Sequence, residues 1–227
     1  MRMQWLAVLL LCGSPAIADC KTETDQKRNA DGSELRITQT QCDQQNQRTT
    51  LIELRADPFS PYKTVLLRKQ SLSEFPRGFG HLKDIDDDGI LEYDEVESCG
   101  AGPNCWHNIF RIDPKQSRAW LLLKGGFSYV RKISDFYVTS GRSSCCSWTH
   151  QIYRAPAQPR GMTEQDLLYS VYLKGPIDGS ATPTCRISRP ANEEWEQANL
   201  PNPKLLMLCE GYGSDVVINP EQTEGER

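Results

Sequence analysis

The sequence predicts a mainly β protein, with short antiparallel strands in a sandwich or propeller-like arrangement, linked by disulfides. Three observations lead there. Short alternating or β-branched runs recur along the 227 residues, separated by proline, glycine and small polar residues. No segment carries a sustained apolar stripe at helical spacing. Nine cysteines become eight once an N-terminal signal is set aside, and an even number in an exported chain reads as a disulfide framework.

Residues 1–18 read as a signal peptide. Arg2 supplies the positive start, Trp5 to Cys12 a short apolar run, and Ala16-Ile17-Ala18 a small-x-small cleavage pattern. The run is too short to span a bilayer as a helix. The residues before Cys12 and Cys20 do not fit a lipoprotein signal. The mature chain is expected to start at Asp19 and to reside in the periplasm or outside the cell. No later segment is apolar enough to cross a membrane. Residues 19–218 are expected to form a single β-rich domain, with a candidate sub-boundary near 156–161, and 219–227 a polar, disordered tail.

Asp25 to Ser33 is polar and reads as a loop. Strands are expected over Leu35–Gln41, Thr50–Leu54 and Thr64–Leu67, and from Gly80 into Ile85. Pro58, Pro61, Pro76, Gly78 and Gly80 punctuate this half. Later strands are expected over Trp106–Ile112, Ala119–Leu123, Phe136–Thr139, Trp148–Arg154, Leu167–Leu173, Thr184–Ser188 and Leu205–Cys209. Glu92–Glu97 and Glu193–Ala198 are the candidates for a helical turn; alternatively Ile90 to Tyr93 continues as a strand and Glu92 closes a shorter loop. Ile109-Phe110-Arg111 and Ile152-Tyr153-Arg154 end similar strands, with the isoleucines 43 residues apart, near the length of a propeller blade. Two ordinary strand–turn units are the favoured account of that likeness.

Sequence proximity pairs Cys20 with Cys42, Cys99 with Cys105, and Cys185 with Cys209. Cys145 and Cys146 would then form a strained vicinal bridge; otherwise the scheme must be rewired. A redox role for this pair is the sharper alternative. The spacings lack a CxxC pair and the three histidines are scattered, which argues against zinc.

The most informative stretch is Asp84 to Glu95. Asp84, Asp86 and Asp88 alternate, and Gly89 permits the sharp turn of a calcium loop. Counting from Asp84, Ile90 stands where a backbone carbonyl coordinates, Glu92 at the ninth position and Glu95 at the twelfth, where a bidentate carboxylate closes an EF-hand. Eight carboxylates fall between Asp84 and Glu97 and would repel one another without a cation. Pro76, Gly78 and Gly80 deny the loop an entering helix, so the expectation is an EF-hand-like Ca2+ loop entered from a strand. Whether Glu92 or Glu95 closes it is left open.

With 26 basic and 30 acidic residues the chain has a net charge of −4, which is not the footprint of a nucleic-acid binder. No nucleophile elbow, HExxH, phosphate loop or GxGxxG is present. His81, His107 and His150 are candidate bases, but they lack an accompanying nucleophile and read as structural. The expectation is therefore a non-enzyme.

The segment from Phe79 to Gly89 resembles the strand and D-x-N/D-x-D-G loop of a family of exported bacterial proteins. Its best-understood members are periplasmic immunity proteins of bacteria-killing type IV secretion systems. Gly100 to Asn104, Ile109 to Pro114, Ser140 to Ser144 and Ile152-Tyr153 are similar to later parts of that pattern. The resemblance covers Phe79 to Tyr153 and implies a calcium-stiffened β protein that inhibits a lysozyme-like peptidoglycan hydrolase. Such an inhibitor needs a rigid loop to plug a cleft lined by carboxylates. Ser140, Arg142, Ser143, Ser144 and Tyr153 are the candidate partner-binding residues, with Arg142 as the charge partner. The alternatives are a calcium-stabilised adhesion or surface-binding module of propeller-repeat type, which predicts further acidic loops, and an uncharacterised hydrolase, which predicts titratable groups converging in a pocket.

Overall fold

The computed structural model describes residues 20–42, 46–71, 79–100, 102–175, 183–191, 194–197, 202–210 and 217–218. The expected signal peptide and C-terminal tail lie outside them. Three antiparallel sheets follow one another along the chain, each formed by strands that turn back on their predecessors. The first holds β1 (Cys20–Arg28), β2 (Glu34–Cys42), β3 (Gln47–Arg55) and β4 (Lys63–Ser71). The second holds β5 (His81–Lys83), β6 (Glu92–Cys99), β7 (Cys105–Asp113) and β8 (Arg118–Phe127). The third runs β9 (Tyr129–Ile133), β10 (Phe136–Ser144), β11 (Ser147–Arg154), β12 (Leu167–Lys174), β13 (Thr184–Ala191) and β14 (Glu194–Gln197), and β15 (Val217–Ile218) pairs with β13 in parallel. β11 and β12 pair directly, so this sheet continues across the 156–161 segment.

Side-chain alternation explains how the sheets stack. On β7, Phe110 and Ile112 point one way and Ile109 and Arg111 the other. Phe110 and Ile112 join Tyr93 in a core with Leu35, Ile37, Ile52 and Leu54 of the first sheet. Ile109 joins Leu122, Leu123 and Phe127 in a core with Val130 and Tyr137 of the third. Leu122 and Leu123 face the same core because β8 bulges opposite the Ile109/Phe110 step. The second sheet is thus covered on both faces. The far face of the third sheet has its own core, where Leu205 and Leu208 cover Val138, Ile152, Val171 and Ile187.

Five local expectations are corrected. Residues 25–28 are strand, not loop: β1 pairs with β2 from Cys20↔Cys42 to Arg28↔Glu34, with all nine of its residues exposed. Neither face of β1 is buried, so no apolar alternation marks it. Glu92–Glu97 is strand β6, and Glu194–Gln197 is strand β14, rather than helical turns. The Leu205–Cys209 run is a 3-10 helix over Pro203–Leu208; Asn202 caps it by accepting from the Lys204 N–H at 2.9 Å. The strand leading to the acidic loop is only His81–Lys83. The three disulfides pair as expected: Cys20–Cys42, Cys99–Cys105 and Cys185–Cys209.

Candidate functional site: an acidic loop at the junction of three sheets

The β5–β6 connection turns tightly because two residues take left-handed conformations, Asp87 at φ +56° and Gly89 at φ +82°. The turn is locked by its own acids. The Gly89 N–H donates to Asp84 Oδ2 and the Ile90 N–H to Asp88 Oδ1, each at 2.9 Å. Carboxylate oxygens of Asp84, Asp86 and Asp88 converge to within 4.8 Å of one another. Gly89 has a second reason to be glycine, since a Cβ there would lie 2.5 Å from Ala30 Cβ.

All three sheets are tied to this loop. From the β1–β2 turn, the Ala30 N–H donates to the Gly89 carbonyl at 2.8 Å, and Asn29 Oδ1 accepts from the Leu91 N–H at 3.0 Å. From the second sheet, Glu92 accepts from the Ile85 N–H at 2.8 Å, and Arg111 reaches Asp86 at 2.8 Å while also contacting Asp88 and Glu92. From the third sheet, the Tyr137 hydroxyl donates to Asp86 at 2.8 Å, the Lys132 N–H donates to the Ile85 carbonyl at 3.3 Å, and Lys132 Nζ stands 3.6 Å from Asp86. Ile85 itself is buried in the core shared by the second and third sheets.

The electrostatics follow from this crowding. Burial pushes the Glu92 carboxyl up to about 8, against the pull of Arg111. Burial also opposes ionisation of Asp86, but the Tyr137 hydroxyl and the Arg111 guanidinium outweigh it and hold that carboxyl below its usual value. Burial likewise works against the charge on Arg111, and the surrounding acids more than offset it, so Arg111 is a firm cation. Burial, then the neighbouring Asp86, raise the Tyr137 hydroxyl and keep it a donor.

A divalent cation fits these residues. Asp84 Oδ1 and Asp86 Oδ1 are buried and have no hydrogen-bond partner, and the Asp86 side chain is only 3% exposed. A buried, unpaired carboxylate oxygen is costly unless something positive sits against it. Asp84, Asp86 and Asp88 are an all-oxygen donor set suited to a hard cation. Glu95 is not placed with them. β6 is a strand, so Glu92 and Glu95 fall on opposite faces. Glu95 is fully buried toward the first sheet, where Arg68 pairs with it at 2.9 Å and Asn108 donates to it at 3.1 Å. Beside the loop opens a cleft of about 270 Å³ whose walls include Arg111, Trp120, Lys132 and Arg160.

The expected partner-binding residues divide. Ser140 is fully buried and shares a 2.7 Å hydrogen bond with His150 Nδ1, so it faces the interior. Tyr153 packs against the core between the second and third sheets and donates to Gln151 at 3.0 Å. Both side chains are used internally, because both lie on central strands of the third sheet. Arg142, Ser143 and Ser144 are exposed at the β10–β11 hairpin. Arg142 braces that turn by donating to the Ser144 and Cys145 carbonyls, and Ser143 and Ser144 pair with Thr149 and Ser147 at 2.6 and 2.7 Å. Cys145 and Cys146 at its tip are free thiols with sulfurs 2.8 Å apart.

Asn104 ties this hairpin to its neighbours. Its amide donates to the Arg142 carbonyl, and its oxygen accepts from the Arg142 N–H and the Ser128 hydroxyl, each at 2.8 Å. The rings of Trp106 on β7 (46%) and Tyr129 on β9 (38%) are exposed, and the Tyr129 ring lies 6.3 Å from that of Trp148. Sequence reasoning missed Arg111, Asn104 and Tyr129. Only Arg111 left a signal: an arginine one strand period from Ile109, on a face that must be buried.

Two of the three histidines, His107 and His150, are buried. His107 is buried, shares a 2.8 Å hydrogen bond with Asp94 and stacks on Phe127 with centroids 4.6 Å apart. Burial depresses His150 to about 4, so it is neutral at physiological pH. Neither imidazole has an exposed hydroxyl or thiol hydrogen-bonded to it among the described residues. Among those residues, no helix is long and apolar enough to cross a membrane.

No protein-family model matches the chain, and no curated protein matches it. A solved structure described as a Xanthomonas type IV secretion system related protein is similar at a TM-score of 0.40 and 12% identity, over 79% of this chain and 100% of that one.

Proposed function

We propose that the protein is an exported, calcium-binding β protein that binds and inhibits a lysozyme-like peptidoglycan hydrolase. The observation that carries the calcium part is the pair of buried, partnerless oxygens on Asp84 and Asp86, two of the three acids whose carboxylates converge. Asp84, Asp86, Asp88, the Ile90 carbonyl and Glu92 would hold the ion. Bound calcium supplies the positive charge these acids need, and a weak site of about millimolar affinity suffices outside the cytoplasm. Its role is structural, because the loop joins three sheets and lacks the paired helices of a calcium sensor.

The inhibitory part rests on the motif resemblance and gains a surface from the geometry. The end of the molecule bearing Arg142, Ser143 and Ser144, flanked by Trp106 and Tyr129, is braced through Asn104. A stiff edge with aromatic, hydroxyl and guanidinium groups suits a cleft lined by catalytic carboxylates, since little entropy is lost on docking. Three disulfides and an extracytoplasmic address agree with that setting.

The test is an inhibition assay with the calcium-loaded mature chain and a panel of lysozyme-fold peptidoglycan hydrolases. The expected result is stoichiometric loss of peptidoglycan cleavage. Arg142→Glu is expected to weaken inhibition on the order of tenfold or more, and so is Tyr129→Ala, which leaves the hairpin turn intact. Undiminished cleavage at equimolar inhibitor would refute the reading.

A further inference from the structure

We infer that Arg111 is a built-in competitor for the divalent cation: it neutralises the acidic loop when the ion is absent and yields carboxylate oxygens when the ion binds. The inference rests on the calcium reading above and adds a regulatory residue to that site. Arg111 is carried by β7, one residue beyond the Tyr93↔Phe110 pair, which sets it across from Glu92. Its planar fork reaches Asp86, Asp88 and Glu92 together. Those are three of the four side chains that would ligate the ion.

The fork does not complete the site. Asp84 has no contact with Arg111, and the Oδ1 oxygens of Asp84 and Asp86 stay buried and unpartnered. A guanidinium carries one charge spread over a plane, and its hydrogen bonds run only along its N–H directions. A compact divalent ion at the focus of Asp84, Asp86 and Asp88 reaches the oxygens that the fork leaves bare. The two cations repel, so the ion's arrival loosens Arg111 from the acids they share. The cleft beside the loop, already partly walled by Arg111, gives the freed guanidinium a place to turn.

Two consequences follow. The ion-free hub keeps a positive charge at its centre, so the three sheets stay joined without calcium. The apparent calcium affinity is lower than the same oxygens would show without Arg111. Lys132, 3.6 Å from Asp86, works in the same direction but is held more loosely.

The experiment titrates calcium into the full mature chain by calorimetry and follows thermal unfolding in chelator, for the wild type, Arg111→Gln and Arg111→Lys. Arg111→Gln is expected to bind calcium on the order of tenfold more tightly. It is also expected to melt several degrees lower in chelator, with calcium restoring the loss. Arg111→Lys keeps the charge and is expected to stay within about threefold of wild-type affinity.

If the wild type binds calcium and Arg111→Gln binds no more tightly, the competitor role is overturned while the calcium site stands. If only Arg111→Gln binds, the competitor role holds and the native calcium reading falls. If neither binds, both fall. Should Arg111→Gln fail to fold, the wild type still decides through the side-chain Nε–H resonance of Arg111. Calcium is expected to shift it and speed its exchange with water; an unchanged resonance overturns the inference.

Discussion

Gly89 shows how much one residue can be asked to do. It supplies the left-handed turn of the loop and lets the loop lie against Ala30 of the first sheet. Gly89→Ala is expected to cost about 2 kcal/mol or more, from backbone strain plus overpacking. Urea unfolding would measure it. Ala30→Gly in the same chain should recover part of the loss, because it removes the clash and leaves the strain. Glu34 makes a separate residue-scale point. It is buried, its two oxygens accept from Arg55 Nη2 at 2.8 and 3.0 Å and one accepts from the Tyr62 hydroxyl at 2.5 Å, and it is held down to about 2 by the Tyr62 hydroxyl and then Arg55. A carboxyl held below its free value of 4.5 contributes stability that is complete above that pH and drains away as pH falls toward 2. Glu34→Gln is therefore expected to flatten the acid limb of the stability–pH curve between those values. An unchanged slope would contradict this account.

At the scale of elements, what was legible in the sequence depended on whether the signal was local. The acidic loop was legible because ligand spacing and a turn glycine lie within one short segment. The disulfides were legible because each joins the two ends of a short span of chain. Glu92 against Glu95 turned on one fact the sequence left open, that the segment after the loop is a strand. Once β6 is a strand, alternation alone sends the two glutamates to opposite faces. Ser140 is buried and Tyr153 partly so because strands and a core that a local motif does not contain surround them. β1 was invisible for the opposite reason, having no buried face to imprint a pattern. It is held by backbone pairing to β2 and by the Cys20–Cys42 bridge. Cys42→Ser is expected to lower stability by about 3 kcal/mol through loss of that loop closure. Amide exchange should localise the effect, with β1 losing protection while β3 keeps it. Equal loss in both strands would show that β1 is an integral part of the first sheet's stability.

The whole molecule is three meander sheets in a row, and the acidic loop is where all three meet. The two inter-sheet cores hold neighbouring sheets together by burial of apolar side chains. The loop adds directional contacts, reaching the first sheet through Asn29 and Ala30 and the third through Lys132 and Tyr137. On the proposed reading calcium would fasten the entire architecture, and Arg111 would keep that fastener from being indispensable. The most direct measurement is amide hydrogen exchange of the mature chain with calcium and with chelator. The account predicts that calcium protects residues 29–33, 84–92 and 130–137 together, because they form one junction. Protection confined to 84–92, or none at all, would contradict it.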